Sequence, residues 1–158
     1  MRTRFCLLLG LASATVVLTT SATAGTAGSA GRARQAKLAA PVINESFTPL
    51  PCAGAPGHRT TLEMEGCAER RILRSDKQID DLNQTIFGKL FDGAARRRFI
   101  AGHDAWLAYR RAYCLSVSDV FEGGTEAGVV DADCTASVNS QHVKDLKTFL
   151  VDLGGNQG

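Results

Sequence analysis

Apolar residues recur along residues 60–92 at the spacing of one face of an amphipathic helix. The steps between them are three, four or seven, which is the period of a helix rather than of a strand. These residues are Ala68, Ile72, Ile79, Leu82, Ile86 and Leu90. Thr60 and Glu63 have the spacing of a capping box, and Asp92-Gly93 is a typical helix break. A first helix is therefore predicted between Thr60 and Asp92-Gly93.

The same period predicts a second helix from about Ala94 to Val120 and a third from about Glu126 to Leu153. The stripe of the second helix consists of Phe99, His103, Trp106, Arg110, Tyr113, Val117 and Phe121. The stripe of the third consists of Val130, Cys134, Val138, Leu146, Phe149, Leu150 and Leu153. Gly123-Gly124 separates the two helices, and Gly154-Gly155 is typical of a helix C-terminus.

Short connections between amphipathic helices make neighbouring helices antiparallel. The sequence therefore predicts an all-α fold, a small three-helix antiparallel bundle over residues 52–153 with a tail at 154–158. A domain of this size has a modest core, so covalent cross-links matter for its stability.

The first 24 residues have the pattern of a secretory signal peptide. Two arginines precede an apolar stretch at 5–18, which is too short to cross a bilayer as a stable helix. An A-x-A pattern at 22–24 predicts cleavage after Ala24, with Ala27 and Ala30 as alternative sites. An uncleaved membrane anchor is the competing interpretation. We expect a periplasmic or secreted protein that is not inserted in the membrane after cleavage.

Residues 25–51 are rich in Ala, Gly, Ser and Thr and then contain three prolines. They offer few large apolar side chains whose burial could offset the entropy of ordering the backbone. The segment is therefore interpreted as a flexible, disordered linker.

Five cysteines are present, but Cys6 lies within the signal peptide, ahead of the cleavage point, and should leave with it without forming a lipid anchor. The four that remain are Cys52, Cys67, Cys114 and Cys134. An even number in an exported chain indicates two disulfides. A zinc site is the competing idea, but the C-x-x-C and H-x-x-x-H spacings of such sites are missing, so no metal is expected.

The position of each cysteine relative to the predicted turns favours one pairing. Cys114 lies about nine residues before Gly123-Gly124 and Cys134 lies ten after, so an antiparallel hairpin makes them neighbours. Cys52–Cys67 would then be the second bridge. Pairing of Cys67 with Cys114 and of Cys52 with Cys134 stays open as the alternative.

The same counting brings Asp76 opposite Arg110 across the first predicted turn. Arg110 lies on the stripe of Trp106 and Tyr113, where an unpaired guanidinium would be costly. We predict a buried or half-buried structural ion pair with Asp76, with Asp80 as the second choice of partner. In the alternative, Arg110 lies flat on one of the two rings with its charged head in water.

The charge balance and the missing catalytic motifs argue against several classes of function. Of the 18 lysines and arginines, two lie in the signal peptide, and the remaining 16 balance 16 acidic residues. A balanced charge gives no general attraction to nucleic acid. There is no G-x-S-x-G elbow and no phosphate-binding loop, and His103 is interpreted as a packed side chain. We therefore expect no enzyme activity and no cofactor.

Acidic residues cluster around the second connection, where no lysine or arginine occurs between Arg111 and Lys144. They are Asp119, Glu122, Glu126, Asp131 and Asp133. Three arginines at 96–98 lie near the opposite turn, so the bundle should be electrically polarised. We interpret the acidic end as a docking surface for a cationic protein. An ordinary solvated surface is the alternative.

Several of these residues together resemble the lysozyme inhibitor LprI family. The first half of the resemblance consists of Cys52, Thr61, Met64, Cys67, Asp76 and Leu82-Asn83. The second consists of Trp106, Tyr109, Arg110 and Cys114, which match W-x-x-[YF]-R-x-x-x-C, followed by Gly123-Gly124-Thr125 and Cys134. Together they span roughly residues 52–150, the whole predicted domain.

The resemblance implies a helical, disulfide-bonded domain of bacterial envelope or secreted proteins. A founding member inhibits lysozyme, so an extracytoplasmic binding protein that inhibits a lysozyme or related muralytic enzyme is expected, with a cationic lysozyme as the partner. That founding member is a lipoprotein, whereas this chain lacks the lipid-attachment cysteine. The alternative function is an envelope interaction or immunity-type protein without inhibitory activity.

Overall fold

The computed structural model describes residues 37–155. Three α-helices account for most of them: α1 (Thr61–Lys89), α2 (Gly93–Ser118) and α3 (Thr125–Gly155). A short 3-10 helix, Asp119–Phe121, follows α2. No strand occurs within this part of the chain. The predicted all-α, three-helix fold is confirmed.

The predicted signal peptide at 1–24 and the first part of the predicted linker, 25–36, lie outside the described residues, as do residues 156–158. Helix α3 continues to Gly155, two residues past its predicted end at Leu153, because glycine disfavours a helix without forbidding it. None of the described helices is long and apolar enough to cross a membrane.

Side chains cap the N-termini of α1 and α2. The Thr60 hydroxyl accepts from the Glu63 amide and the Glu63 carboxylate accepts from the Thr60 amide at 2.9 Å, which is the predicted capping box. At α2, the Asp92 carboxylate accepts from the Ala95 amide at 2.6 Å. Because α2 starts only a few residues after α1 ends, the register of the first hairpin is set by these two boundaries.

Cross-helix pairs show an up-down-up arrangement. Asp76 of α1 lies against Arg110 of α2, and Asn83 lies against His103, so the two helices are antiparallel. Helices α2 and α3 are antiparallel as well, through the pairs Cys114–Cys134, Trp106–His142 and Phe99–Phe149. Consequently α1 and α3 run parallel, and the N-termini of both lie at the same end as the C-terminus of α2.

The most extensive helix contact joins α1 to α3. Near their N-termini the interface consists of Ala68, Ile72, Ala132 and Ala136, whose small side chains allow the backbones to approach closely. Farther along it is built from larger side chains, namely Ile79, Ile86, Leu90, Val143 and Leu146. The core is thus narrow at one end of the bundle and wider at the other.

The buried face of α3 is rotated from the predicted stripe. The residues that are buried are Val129, Ala132, Ala136, Asn139, Val143 and Leu146, whereas Val130, Val138 and Leu153 are half-buried and Phe149 is exposed. The stripe missed this face because α3 packs on two helices. One side faces α1, and the side that carries Cys134 and His142 faces α2. In α2, Tyr113 is likewise exposed, and Cys114 occupies the buried position instead.

Residues 37–51 differ from the disordered linker that the composition predicts. They have no regular secondary structure, but polar contacts hold them against the helices. The Ile43 amide donates to the Asp80 carboxylate at 2.9 Å, and the Leu50 amide donates to the Glu69 carboxylate at 2.6 Å. We call residues 37–51 the strap. The composition did not predict an ordered strap, because polar contacts rather than many large apolar side chains hold it in place.

Candidate functional site

The predicted disulfides are present in the favoured pairing. Cys52 is bonded to Cys67 and Cys114 to Cys134, so the alternative pairing is wrong. Both bridges lie at the end of the bundle where α2 connects to α3. The first ties the residue that follows the strap to α1, and the second ties α2 to α3, so this end of the bundle is restrained covalently.

A buried polar layer crosses the middle of the bundle. Arg110 is 2% exposed, and its Nη1 donates to Asp76 Oδ1 at 3.1 Å and to Asn139 Oδ1 at 2.9 Å. Asn139 Nδ2 also donates to Asp76 Oδ1, at 2.7 Å, and to Ser75 Oγ, at 2.9 Å. The structure thus brings Asp76 and Arg110 together, and it adds an amide that joins all three helices.

The strap completes this layer. Arg110 Nη2 forms an ion pair with the Glu45 carboxylate, whose second oxygen accepts from Arg111 at 2.9 Å. Arg110 Cζ also lies 5.2 Å from the centre of the Trp106 ring. The ring contact of the alternative interpretation therefore exists, but the guanidinium is buried rather than in water. Asp80, the second choice of partner, holds the strap at Ile43 instead.

Burial raises the pKa of Asp76, against the opposing effects of the Arg110 guanidinium and the Asn139 amide. One of its oxygens, Oδ2, is buried without a hydrogen-bond partner in the described chain. The carboxylate therefore depends strongly on Arg110 for its charged form.

Sequence reasoning missed Asn139, Glu45 and Ser75. An asparagine on the buried face of a helix is the one usable signal, because such an amide needs polar partners. Glu45 carried no such signal, since it lies in a segment without helical periodicity.

The five acidic residues of the predicted docking surface occupy different environments. Asp119, Glu122 and Glu126 are exposed at the α2–α3 connection. Asp133 is exposed but forms an ion pair with Arg71 of α1. Asp131 is half-buried, and burial raises its pKa. Only the first three are therefore freely presented to a partner.

Exposed apolar side chains lie between these three acids and precede them along α2. Val120 is 76% exposed, and Phe121 is also exposed. Tyr109 and Tyr113, one turn apart on α2, are exposed and stacked with ring centroids 5.5 Å apart. We call the set Tyr109, Tyr113, Asp119, Val120, Phe121, Glu122 and Glu126 the connection surface.

Backbone geometry fixes the position of Glu122 within the connection surface. It has φ 49° and ψ 34°, the left-handed conformation that costs a non-glycine residue about 1 kcal/mol. Its amide donates to the Asp119 carbonyl, and the Gly124 amide donates to the Phe121 carbonyl at 2.9 Å. Two backbone hydrogen bonds therefore hold the turn that carries the Glu122 side chain.

Two histidines lie in the other half of the bundle. His103 Nδ1 lies 3.2 Å from Asn83 Nδ2, so it pairs with an amide rather than with a carboxylate. His142 stacks on Trp106 with ring centroids 3.9 Å apart. Burial lowers the pKa of both histidines, that of His142 to about 4. In residues 37–155 no group of His, Cys, Asp and Glu side chains is arranged to hold a metal ion.

Comparison with known proteins gives one match. The family described as Lysozyme inhibitor LprI matches residues 52–146, more than half of the chain. The matched range includes all of α1 and α2, the connection surface and both disulfides. No curated protein and no solved structure matches the chain.

Proposed function

Because the chain belongs to the LprI family of lysozyme inhibitors, we propose that it is an extracytoplasmic binding protein that inhibits a lysozyme or a related muralytic enzyme. The two disulfides support a working location outside the cytoplasm, since such bridges persist in oxidising compartments. The family match over the helical bundle is the observation that carries the proposal.

The connection surface is the part of the bundle that we assign to the partner. It combines exposed aromatic and aliphatic side chains, Tyr109, Tyr113, Val120 and Phe121, with three exposed acids. Aromatic side chains supply much of the binding energy of protein interfaces, while surrounding charges steer association. A cationic enzyme such as a lysozyme would meet complementary charge here.

Restraint of this surface before binding supports the same assignment. The Cys114–Cys134 bridge closes the α2–α3 connection, and the left-handed Glu122 is held within its hydrogen-bonded turn. A surface that is already ordered loses less conformational entropy when it binds.

Inhibition is tested by the rate at which a lysozyme clears a suspension of bacterial cell walls. The oxidised, signal-free protein should slow clearing in a saturable manner, and heat-denatured protein should not. Failure to slow any lysozyme or muralytic enzyme of a representative set, with both disulfides verified by mass spectrometry, would contradict the proposal.

Charge reversal tests the connection surface separately. Asp119→Lys combined with Glu122→Lys should slow association by at least about tenfold at low salt. The control is Asp104→Lys combined with Asp152→Lys, which changes the net charge equally at exposed positions away from the connection. Equal association rates for the two double variants would refute the assignment of the surface while leaving inhibition itself standing.

A further inference from the structure

A polar groove runs between α1 and α3. It consists of two adjoining depressions of about 560 Å³ and about 450 Å³, which share Arg71 and Arg74 as lining residues. The first is lined by α1 and α3 alone, and the second continues past the Cys52–Cys67 disulfide. We call the two depressions together the basic groove, because they contain five cations, namely Arg59, Arg70, Arg71, Arg74 and Lys144.

Positive charge is concentrated in the basic groove, although the chain after the predicted signal peptide is balanced. One acid lines the groove, Asp133, and it is paired with Arg71. Two more acids lie beside it: Glu63 is close to Arg59, and Asp145 follows Lys144 in α3. Even with these two included, cations outnumber acids by five to three. The groove therefore attracts anions.

Two of the cations have no partner of their own. Arg74 and Lys144 are exposed, and within residues 37–155 neither side chain forms a salt bridge or a hydrogen bond. An arginine next to open space presents its guanidinium fork to carboxylate oxygens, and a lysine presents a point charge. Both are free to pair with a ligand.

Backbone carbonyls hold two further guanidiniums in place. Arg59 Nε lies 3.3 Å from the carbonyl oxygens of Ala53 and Gly54. Arg70 Nη2 donates to the Leu50 carbonyl at 3.4 Å. Because a guanidinium has five N–H donors, most of them stay available after these bonds are made. A side chain that is already held loses less conformational entropy when it binds.

The cations are spread along the groove rather than gathered at one point. Helices α1 and α3 run parallel, and Arg71 lies level with its partner Asp133. Lys144 lies eleven residues after Asp133 in α3, about 16 Å along the helix axis. Arg74 lies between them, about 4.5 Å beyond Arg71. A row of this length suits several negative charges on an extended chain better than one small anion.

Neutral polar side chains occupy the space between the cations. Gln78 on α1 and Ser137, Ser140 and Gln141 on α3 line the groove and are exposed. Hydroxyl and amide groups both donate and accept hydrogen bonds, which suits the hydroxyl groups of a sugar ring. Among the described residues that line the groove, none is aromatic. Nucleic-acid bases would therefore find nothing to stack on, and a protein partner would find no aromatic anchor.

We propose that the basic groove binds an acidic oligosaccharide, a short sugar chain that carries carboxylate groups. The carboxylates pair with Arg74 and Lys144, and the sugar hydroxyls bond to Ser137, Ser140 and Gln78. The row of cations selects a chain with several negative charges. The neutral polar side chains distinguish a sugar from another acidic chain.

Binding is measured by titration calorimetry with trigalacturonate and with its neutral trimethyl ester, which keeps the sugar hydroxyls. Trigalacturonate should bind at one site, and the ester should bind at least about tenfold more weakly. The affinity for trigalacturonate should fall as the ionic strength rises from about 0.01 M to about 0.1 M, because the Debye length shortens from about 30 Å to about 10 Å. Absence of saturable trigalacturonate binding, or equal affinity for the ester, would overturn the proposal.

An acidic peptide is the competing occupant, and N-acetyl-triglutamate amide is the probe for it. It carries as many carboxylates as trigalacturonate but no hydroxyl groups. We expect it to bind about tenfold more weakly, because it cannot form the hydrogen bonds to the serines. Equal or tighter binding of the peptide would assign the groove to an acidic protein segment instead.

Variants locate the site. Arg74→Gln combined with Lys144→Gln should weaken trigalacturonate at least about tenfold. The control is Arg97→Gln combined with Lys89→Gln, which removes the same charge at exposed positions outside the groove. Equal weakening by the two double variants would show a general attraction to charge and would refute the site.

The serines test whether the groove recognises the sugar. Ser137→Ala combined with Ser140→Ala should weaken trigalacturonate about tenfold and leave the triglutamate peptide unchanged. Helical circular dichroism verifies that each variant is folded. An unchanged affinity for trigalacturonate in the double serine variant would refute the sugar assignment.

The proposal is independent of lysozyme inhibition. The basic groove shares no residue with the connection surface, so Arg74→Gln combined with Lys144→Gln should inhibit a lysozyme as the wild type does. Loss of trigalacturonate binding with retained inhibition would support the assignment. Loss of both in a folded variant would refute the separation of the two sites. If the wild type inhibits no lysozyme, the binding measurements alone decide the proposal.

Discussion

Replacement of Arg110 by methionine should be among the most destabilising single changes in this bundle. Methionine keeps the unbranched apolar stem and removes only the guanidinium. Asp76, which is 7% exposed, would keep its charge with a single amide, from Asn139, donating to it. Removal of one partner of a buried ion pair typically costs about 3–5 kcal/mol, a large part of the stability of a domain of this size.

Arg111→Met is the matched control. Arg111 is the next residue along α2 and shares the Glu45 carboxylate, but its side chain is 69% exposed. Exposed ion pairs contribute about 0–1 kcal/mol. The difference between the two variants therefore isolates the effect of burial from that of charge.

The loss of unfolding free energy caused by Arg110→Met should depend on pH. Burial already raises the pKa of Asp76, and loss of the guanidinium removes the first of the effects that lower it. A carboxyl whose pKa is raised in the folded state stabilises the fold in its protonated form, and that contribution is lost as the pH rises through the folded pKa. The difference in unfolding free energy between wild type and Arg110→Met should therefore be small at acidic pH and increase towards neutral pH. The Asp76→Asn variant should not become less destabilised at acidic pH, because Arg110 stays protonated at both pH values.

Urea denaturation with intact disulfides, followed by helical circular dichroism at about pH 4 and about pH 7.5, measures these differences in unfolding free energy. The double variant Arg110→Met, Asp76→Asn should recover much of the loss, since it leaves no uncompensated buried charge. An Arg110→Met variant that costs no more than Arg111→Met at neutral pH, or whose cost is independent of pH, would refute the reasoning.

Two further predictions concern the histidine layer and the strap. The pKa of His142 is lowered from its ordinary value of 6.5 to about 4, first by burial, so the neutral form is favoured in the folded state and stability is lost as the pH falls from about 6.5 to about 4. Because the ring is only partly buried, solvent screening should reduce the loss to about 1–2 kcal/mol. His142→Gln should flatten this slope in denaturation curves and the exposed His58→Gln should not; equal slopes in wild type and His142→Gln would contradict the assignment. Gly66→Ala should destabilise by about 1–3 kcal/mol, because its Cβ would overlap the carbonyl oxygens of Leu50 and Pro51. Gly88→Ala, where the Cβ meets nothing, should stabilise by about 0.5–1 kcal/mol; a stabilising Gly66→Ala would show that the strap does not pack as described.

The register of the bundle could be predicted from the sequence because both hairpins have short connections. Counting outward from Asp92-Gly93 is enough to place Asp76 beside Arg110, and counting from Gly123-Gly124 is enough to place Cys114 beside Cys134. These positions depend only on the helical rise and on where each helix ends, and capping signals mark the start of α1 and α2. Local signals for helix ends and turns were therefore enough to predict these two long-range pairs.

The contacts that escaped prediction depend on information that lies outside any single helix. To predict the parallel α1–α3 interface, one must know which side of α3 faces α1 and which faces α2. The buried alanines at 132 and 136 hardly stand out in a search for large apolar residues at helical spacing. The strap depends on backbone amides that reach Asp80 and Glu69, and such bonds leave no periodic pattern.

The size of the side chains between α1 and α3 differs between the two ends of the bundle. Where alanines meet, the helices approach closely, and two disulfides restrain this end of the bundle. Where leucine and phenylalanine line the helices, an apolar cleft of about 580 Å³ remains. The Arg110 layer lies between these halves and joins all three helices to the strap.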